Sequence, residues 1–182
     1  MKKVVLLGDS IRLRGYGPAV AQALEGEYTV WQPEDNCRYS SYTLRMLFDR
    51  RIELADADII HWNNGHWDIC ELLGDGPFTP LEVYVDTLKR IAGHLLSITD
   101  KVIFATTTPV LASTYEDNAS IARYNAAAVA ALREMGVQIN DLYALVEPQA
   151  EACICQDQLH LSEAGARICA QQVVAAIRQA DR

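Results

Sequence analysis

Short β-branched and apolar runs alternate with longer helical patterns from one end of this chain to the other, and nothing else in the sequence restricts the fold as much. Residues 3–7, apolar from Val4 onward, have the continuous character of a parallel strand covered on both faces. Helical character follows over 18–24, a second strand over Tyr28–Trp31, a helix over 41–51 with Leu44, Leu47 and Phe48 at helical spacing, and a third strand over 59–62. Thr79-Pro80-Leu81-Glu82 reads as a helix start: threonine caps, proline takes the first helical position, and glutamate closes a capping box. That helix is expected to run to about residue 98, with a fourth strand over 102–105 stopped by Thr106-Thr107-Thr108-Pro109. An alanine-rich helix over 121–135 ends at Gly136, a fifth strand covers 137–139, and Ser162 caps a last helix over 162–179.

Strands alternating with helices of this length mean crossover units. Right-handed crossovers place helices on both faces, so the expected fold is α/β: a three-layer α/β/α sandwich around a five-stranded parallel sheet. With no linker, repeat or low-complexity segment, residues 1–182 read as a single domain. In such sheets the ligand crevice lies beyond the carboxyl ends of the strands. The loops expected there hold Asp9, Ser10, Asn36, Ser41, Asn63, Asn64, His66, Asp68, Asp157 and His160.

Charge narrows the partners. With 16 basic against 24 acidic residues the formal net charge is -8, which disfavours nucleic acid and anionic membrane surfaces. Lys2-Lys3 before Val4–Leu7 is too short an apolar run for a secretory signal, and no stretch approaches the ~20 apolar residues of a membrane span. A soluble cytoplasmic protein is expected. Five cysteines at irregular spacing are a poor disulfide framework and read as reduced thiols. Cys153-Ile154-Cys155 lacks the second ligand pair of a zinc site, so no metal is expected. No phosphate-binding glycine loop follows the first strand, where a nucleotide fold of this layout needs one.

The chemistry-bearing residues lie at the two ends of the chain. A serine hydroxyl is a weak nucleophile that needs an adjacent base, itself oriented by a third group. Ser10 follows the first strand in Gly8-Asp9-Ser10, a sequence that elsewhere merely punctuates a strand end. Asp157-Gln158-Leu159-His160 supplies the partners, although an acidic residue near a helix start is also commonplace. In a turn, the Asp157 carboxylate can fold back onto the imidazole Nδ1–H and leave Nε2 free as base.

Together the two ends resemble the SGNH (GDSL-type) hydrolases. The first block of that family looks like Val5-Leu6-Leu7-Gly8-Asp9-Ser10, and its last like Asp157-Gln158-Leu159-His160-Leu161-Ser162-Glu163-Ala164-Gly165. Thr108-Pro109, Ile121 through Asn125, Gly136-Val137 and Asp141-Leu142 fit between them. The resemblance implies a flavodoxin-like sheet order and a triad of Ser10 as nucleophile, His160 as base and then acid, and Asp157 as orienting carboxylate. It also implies an oxyanion hole from the backbone N–H of Ser10 and a second amide, at the position here held by Ser41 where the family has glycine. The third block of the family, Gly-x-Asn-Asp, departs here to Asn63-Asn64-Gly65-His66-Trp67-Asp68, with Trp67 where the asparagine belongs. A neighbouring amide is expected to replace it, Asn63 ahead of Asn64. Trp67 and His66 are candidates for the substrate pocket; Trp31 and Trp62 read as packing. The implied activity is hydrolysis of small acyl esters, acylated sugars among them, with no cofactor. Two rival readings stand beside it: a catalytically degraded relative that binds a sugar or partner, and a flavin-binding or regulatory domain of similar layout.

Overall fold

The computed structural model describes residues 1–112 and 115–182. Five strands form one all-parallel sheet in the order β2-β1-β3-β4-β5: β1 Lys2–Leu7, β2 Tyr28–Trp31, β3 Ile59–Asn63, β4 Val102–Ala105 and β5 Gln138–Asn140. The helices are α1 Gly17–Ala23, α2 Ser40–Asp49, α3 Arg51–Leu54, α4 His66–Ile69, α5 Leu81–Leu96, α6 Asn118–Glu134, α7 Leu142–Val146, α8 Ala150–Cys153 and α9 Glu163–Ala180. A further helical turn, Ile11–Tyr16, kinks at Gly15 and leads into α1.

The alternation of side chains along β1 builds two cores. Val5 and Leu7 face Trp62, Phe104, Leu88 and Ile91, beneath α5 and α6, whereas Val4 and Leu6 face Ile59, Ile103 and Val173, beneath α1 and α9. Both faces of the central strands are thereby dry, which is why their sequences are continuously apolar. This is the three-layer α/β/α sandwich. With β2 on one side of β1 and β3 on the other, successive crossovers leave on opposite faces, and the loops after β1 and β3 diverge to open a crevice.

The observed bounds follow the sequence closely, with β2 and β4 coinciding with expectation. Gly136, at φ 84°, ends α6 in the left-handed conformation that glycine adopts freely. Ser162 caps α9 by accepting from the Gly165 N–H at 3.2 Å. The start of α5 is a correction. Pro80 holds the cap position in an extended conformation with no side-chain cap, and Thr79 gives its backbone N–H to the Asp68 carbonyl at 2.8 Å. The capping box does not form, because the preceding loop needs Thr79. Among the described residues no helix is long and apolar enough to cross a membrane.

Candidate active site

The turn that carries Ser10 leaves β1 through Gly8, whose neighbours force the choice of residue. A Cβ there would collide with the Asn63 side-chain oxygen and stand 2.8 Å from the Arg12 Cβ. Asp9, fully buried, accepts from the Ile11 N–H and from Asn63 Nδ2, both at 2.9 Å on Oδ1. Asn63 Oδ1 in turn accepts from the Tyr16 hydroxyl at 2.8 Å. This chain fixes the turn so that Ser10, 6% exposed, presents Oγ at 2.9 Å from His160 Nε2.

The partner segment is a turn closed by Cys155 N–H to His160 O at 2.7 Å and Gln158 N–H to Cys155 O at 2.9 Å. Gln158 takes a left-handed φ of 70°, which lets the chain double back. Asp157 Oδ1 accepts from the backbone N–H groups of Leu159 and His160 at 3.1 and 2.9 Å, and Oδ2 lies 2.7 Å from His160 Nδ1. That contact puts the imidazole proton on Nδ1 and leaves Nε2 to accept from Ser10 Oγ–H. Partial desolvation pushes the Asp157 pKa up, but the two backbone donors and His160 together outweigh it and hold the carboxyl below its ordinary range. The structure therefore brings Ser10, His160 and Asp157 into one hydrogen-bonded line. Such a line can remove a proton from the serine hydroxyl and return it to a leaving group.

The rim differs from expectation in two places. Ser41 is exposed, in the first turn of α2, where backbone N–H groups have no intrahelical acceptor. The residue before it is locked: Ser40 donates its N–H and hydroxyl to Asp68 at 2.9 and 2.7 Å. Burial raises the Asp68 pKa to about 6 against the pull of its donors Ser40 and Thr79. The two asparagines are already engaged, Asn64 fully and Asn63 in part. Asn64 has committed Nδ2 to Arg38 O at 2.8 Å and Thr43 Oγ1 at 2.9 Å, while its Oδ1 accepts from Trp62 Nε1, so it holds the loop after β2. Asn63 has committed one N–H, to Asp9.

His66 is the clearer correction. Expected in the substrate pocket, it is buried, with Nδ1 at 3.0 Å from both Glu116 oxygens and Nε2 at 3.1 Å from Thr108 Oγ1. Burial alone would lower its pKa, but the Glu116 carboxylate prevails and raises it. Both ring nitrogens are occupied, so His66 ties the segment after β3 to the one after β4 and has no hand free for a ligand. Trp67 remains 39% exposed, whereas Trp62 is fully buried against Phe104. His61 lies within β3, with burial lowering its pKa to about 3. All five cysteines are free thiols. Among the described residues no group of His, Cys, Asp and Glu side chains could hold a metal ion.

Sequence reasoning passed over Arg12, Tyr16 and Glu116. Arg12 carried a faint signal, an arginine within the apolar-flanked run Ile11-Arg12-Leu13 directly behind the nucleophile. Glu116 carried none.

No protein-family model matches the chain. It is 32% identical over 125 residues to the GDSL esterase/lipase WDL1 of Oryza sativa subsp. japonica, an alignment covering 59% of this chain and 48% of that protein. The chain spans about half the length of the first two curated relatives it matches. Among solved structures, the lipase/acylhydrolase from Enterococcus faecalis superposes with a TM-score of 0.82 at 20% identity, covering 98% of this chain and 96% of that one. The acetyl xylan esterase AlAXEase gives 0.81 at 16%, covering 96% and 99%. At these identities the two structures speak for the fold.

Proposed function

We propose that this chain, of the SGNH (GDSL-type) hydrolase family, is a serine hydrolase that cleaves acyl esters through a covalent acyl-enzyme, with residues 1–182 as one catalytic domain. The observation that carries the reading is the unbroken line from Ser10 Oγ to His160 Nε2 at 2.9 Å and from His160 Nδ1 to Asp157 Oδ2 at 2.7 Å. Ser10 attacks the ester carbonyl as His160 takes its proton; His160 then protonates the departing alcohol. Water then attacks the acyl carbonyl as it gives a proton to His160, and His160 passes that proton to Ser10 Oγ as the bond to the serine breaks and the acid leaves. Asp157 keeps the imidazole in the competent tautomer and stabilises the imidazolium.

The tetrahedral oxyanion is held by the backbone N–H groups of Ser10 and Ser41, with the second N–H of Asn63 as the remaining side-chain donor. Losing one such donor typically costs ~10²–10³ in turnover, so an enzyme relying on the two amides alone is slow. Small acyl esters, acylated sugars in particular, are the proposed substrates: two solved neighbours are an acetyl xylan esterase and a carbohydrate esterase of family 3, and Trp67 offers an exposed aromatic face at the rim.

The test is hydrolysis of p-nitrophenyl acetate together with labelling by an active-site-directed phosphonate. Wild type should turn over and be labelled on Ser10, and Ser10→Ala should lose both. Labelling that persists in Ser10→Ala overturns the assignment. The commitment of Asn64 and of one Asn63 N–H favours a second reading, a sugar-binding relative with degraded catalysis. Ligand binding by a wild type that neither turns over nor labels would establish it.

A further inference from the structure

We propose that Arg12 is a positioning residue whose buried guanidinium clamps the nucleophile turn to the loop after β2, setting the separation of the Ser10 and Ser41 backbone N–H groups. The proposal rests on the hydrolase reading above and deepens it. Arg12 is fully buried, one of the largest side chains in the molecule to be so. Its Nη2 donates to the carbonyls of Gly8 at 3.1 Å and Asp35 at 2.8 Å, and its Nη1 to Pro33 O at 2.8 Å and Gln32 Oε1 at 3.3 Å. The Cys37 thiol lies 3.9 Å from Nη2.

Every one of those acceptors is neutral. Burying a cation costs several kcal/mol unless it is compensated, and an apolar side chain would fill the same space at less cost. Here the guanidinium is met by three main-chain carbonyls and one side-chain amide oxygen. Asp9 Oδ2 and Arg12 Nε make no hydrogen bond among the described residues, so the clamp is made through Nη1 and Nη2 alone.

What the arginine provides is reach in two directions. Its planar fork of donors can hold one carbonyl on the nucleophile turn and two on the loop after β2 at once; a lysine ammonium is a single point. The same two loops already meet at Gly8, whose N–H donates to Cys37 Sγ and whose carbonyl accepts from the Cys37 N–H, both at 3.1 Å. Ser10 follows Gly8 closely and Ser41 follows Cys37 into α2. The guanidinium thus joins the roots of both donor segments, and an error of about 1 Å between such groups can cost ~10²-fold in rate.

The experiment compares Arg12→Met, which keeps length but removes charge and donors, with Arg12→Lys, which keeps charge but loses the fork. Kinetics on p-nitrophenyl esters are measured well below each variant's melting temperature, alongside the alkylation rate of Cys37 followed by peptide mass spectrometry. The expected result for Arg12→Met is a kcat lower by about 10–100-fold with KM within about threefold, only partial recovery in Arg12→Lys, and Cys37 alkylated about tenfold faster in both. A folded variant with wild-type kcat overturns the proposal, however far its Tm falls, since that is the behaviour of a merely structural residue. Should Arg12→Met not fold, Arg12→Lys decides by the same criteria. An inactive, unlabelled wild type defeats the hydrolase reading instead, and the clamp is then judged on Cys37 alone: unchanged alkylation overturns it.

Discussion

Ser10 and His160 stand 2.9 Å apart, yet the segments that carry them are held by different means. Behind Ser10 the supports come from distant parts of the chain: Asn63 reaches Asp9 across 54 positions, and Arg12 reaches Asp35 across 23. All of these side chains but Asp35 are buried. The Asp157–His160 turn is made largely from itself, by hydrogen bonds among Cys155, Asp157, Gln158, Leu159 and His160. The side chains of Asp157 and His160 are 52% and 30% exposed. The Ser10 turn is therefore a tertiary construction that fails with its buried network, whereas the His160 turn is a local one that tolerates change around it.

The contrast breaks most visibly at Asp157→Asn. Turnover should fall by about 10²–10⁴-fold, while the thermal midpoint should move by no more than about 2 °C, because an exposed turn carries little of the fold's stability. A large drop in midpoint would show that the turn is not locally held. Asn63→Ala should do the opposite in kind. It strips Asp9 of a donor and Tyr16 of an acceptor in a dry region, so kcat should fall by about 10–100-fold and stability in urea by about 1–3 kcal/mol. A wild-type urea midpoint would remove Asn63 from the network's essential members.

Two finer measurements sharpen the same contrast by pH. Because Asp157 is held below the ordinary carboxylate range, it should stay ionised through mildly acidic pH and add no second ionisation to the acid limb of kcat/KM. A limb of two protons would mean that the exposed pair titrates as a unit. In the buried region, the pKa of His66 is raised by Glu116 above its ordinary 6.5. The folded state then holds its proton more tightly than the unfolded state. The resulting stability is complete below pH 6.5 and is lost as pH rises through the folded value. Thermal midpoints from pH 6 to 9 should decline in wild type by a few degrees and lose that decline in His66→Gln. An unchanged slope in the variant would assign it elsewhere.

The parts legible in the sequence are those whose cause is local. β2 lies between Gly26 and Pro33, β4 is followed within four residues by Pro109, and the Ser162 cap needs only its own helix. Ser10, Asp157 and His160 could be picked out because each sits at a strand end or a helix start. Thr79 misled because its surroundings suit a cap equally well, and only the fold shows that Asp68 claims its N–H first. His66 misled for the same reason at longer range, since its partner Glu116 lies 50 positions away. A polar residue after a strand can face a ligand or tie two loops together, and which it does depends on the loops that arrive beside it. Arg12 is the extreme case: an arginine in an apolar setting, whose acceptors are main-chain carbonyls that no residue pattern advertises.

The 150 positions between Ser10 and His160 bear on synthesis in the cell. At translation rates of roughly 5–20 residues per second, the serine emerges several seconds to half a minute before any base can reach it. On the proposed mechanism its hydroxyl is until then as unreactive as any other, and a ribosome-bound fragment would not attack esters around it. The first acyl-enzyme a new molecule forms would thus certify that the chain has folded as far as the start of α9.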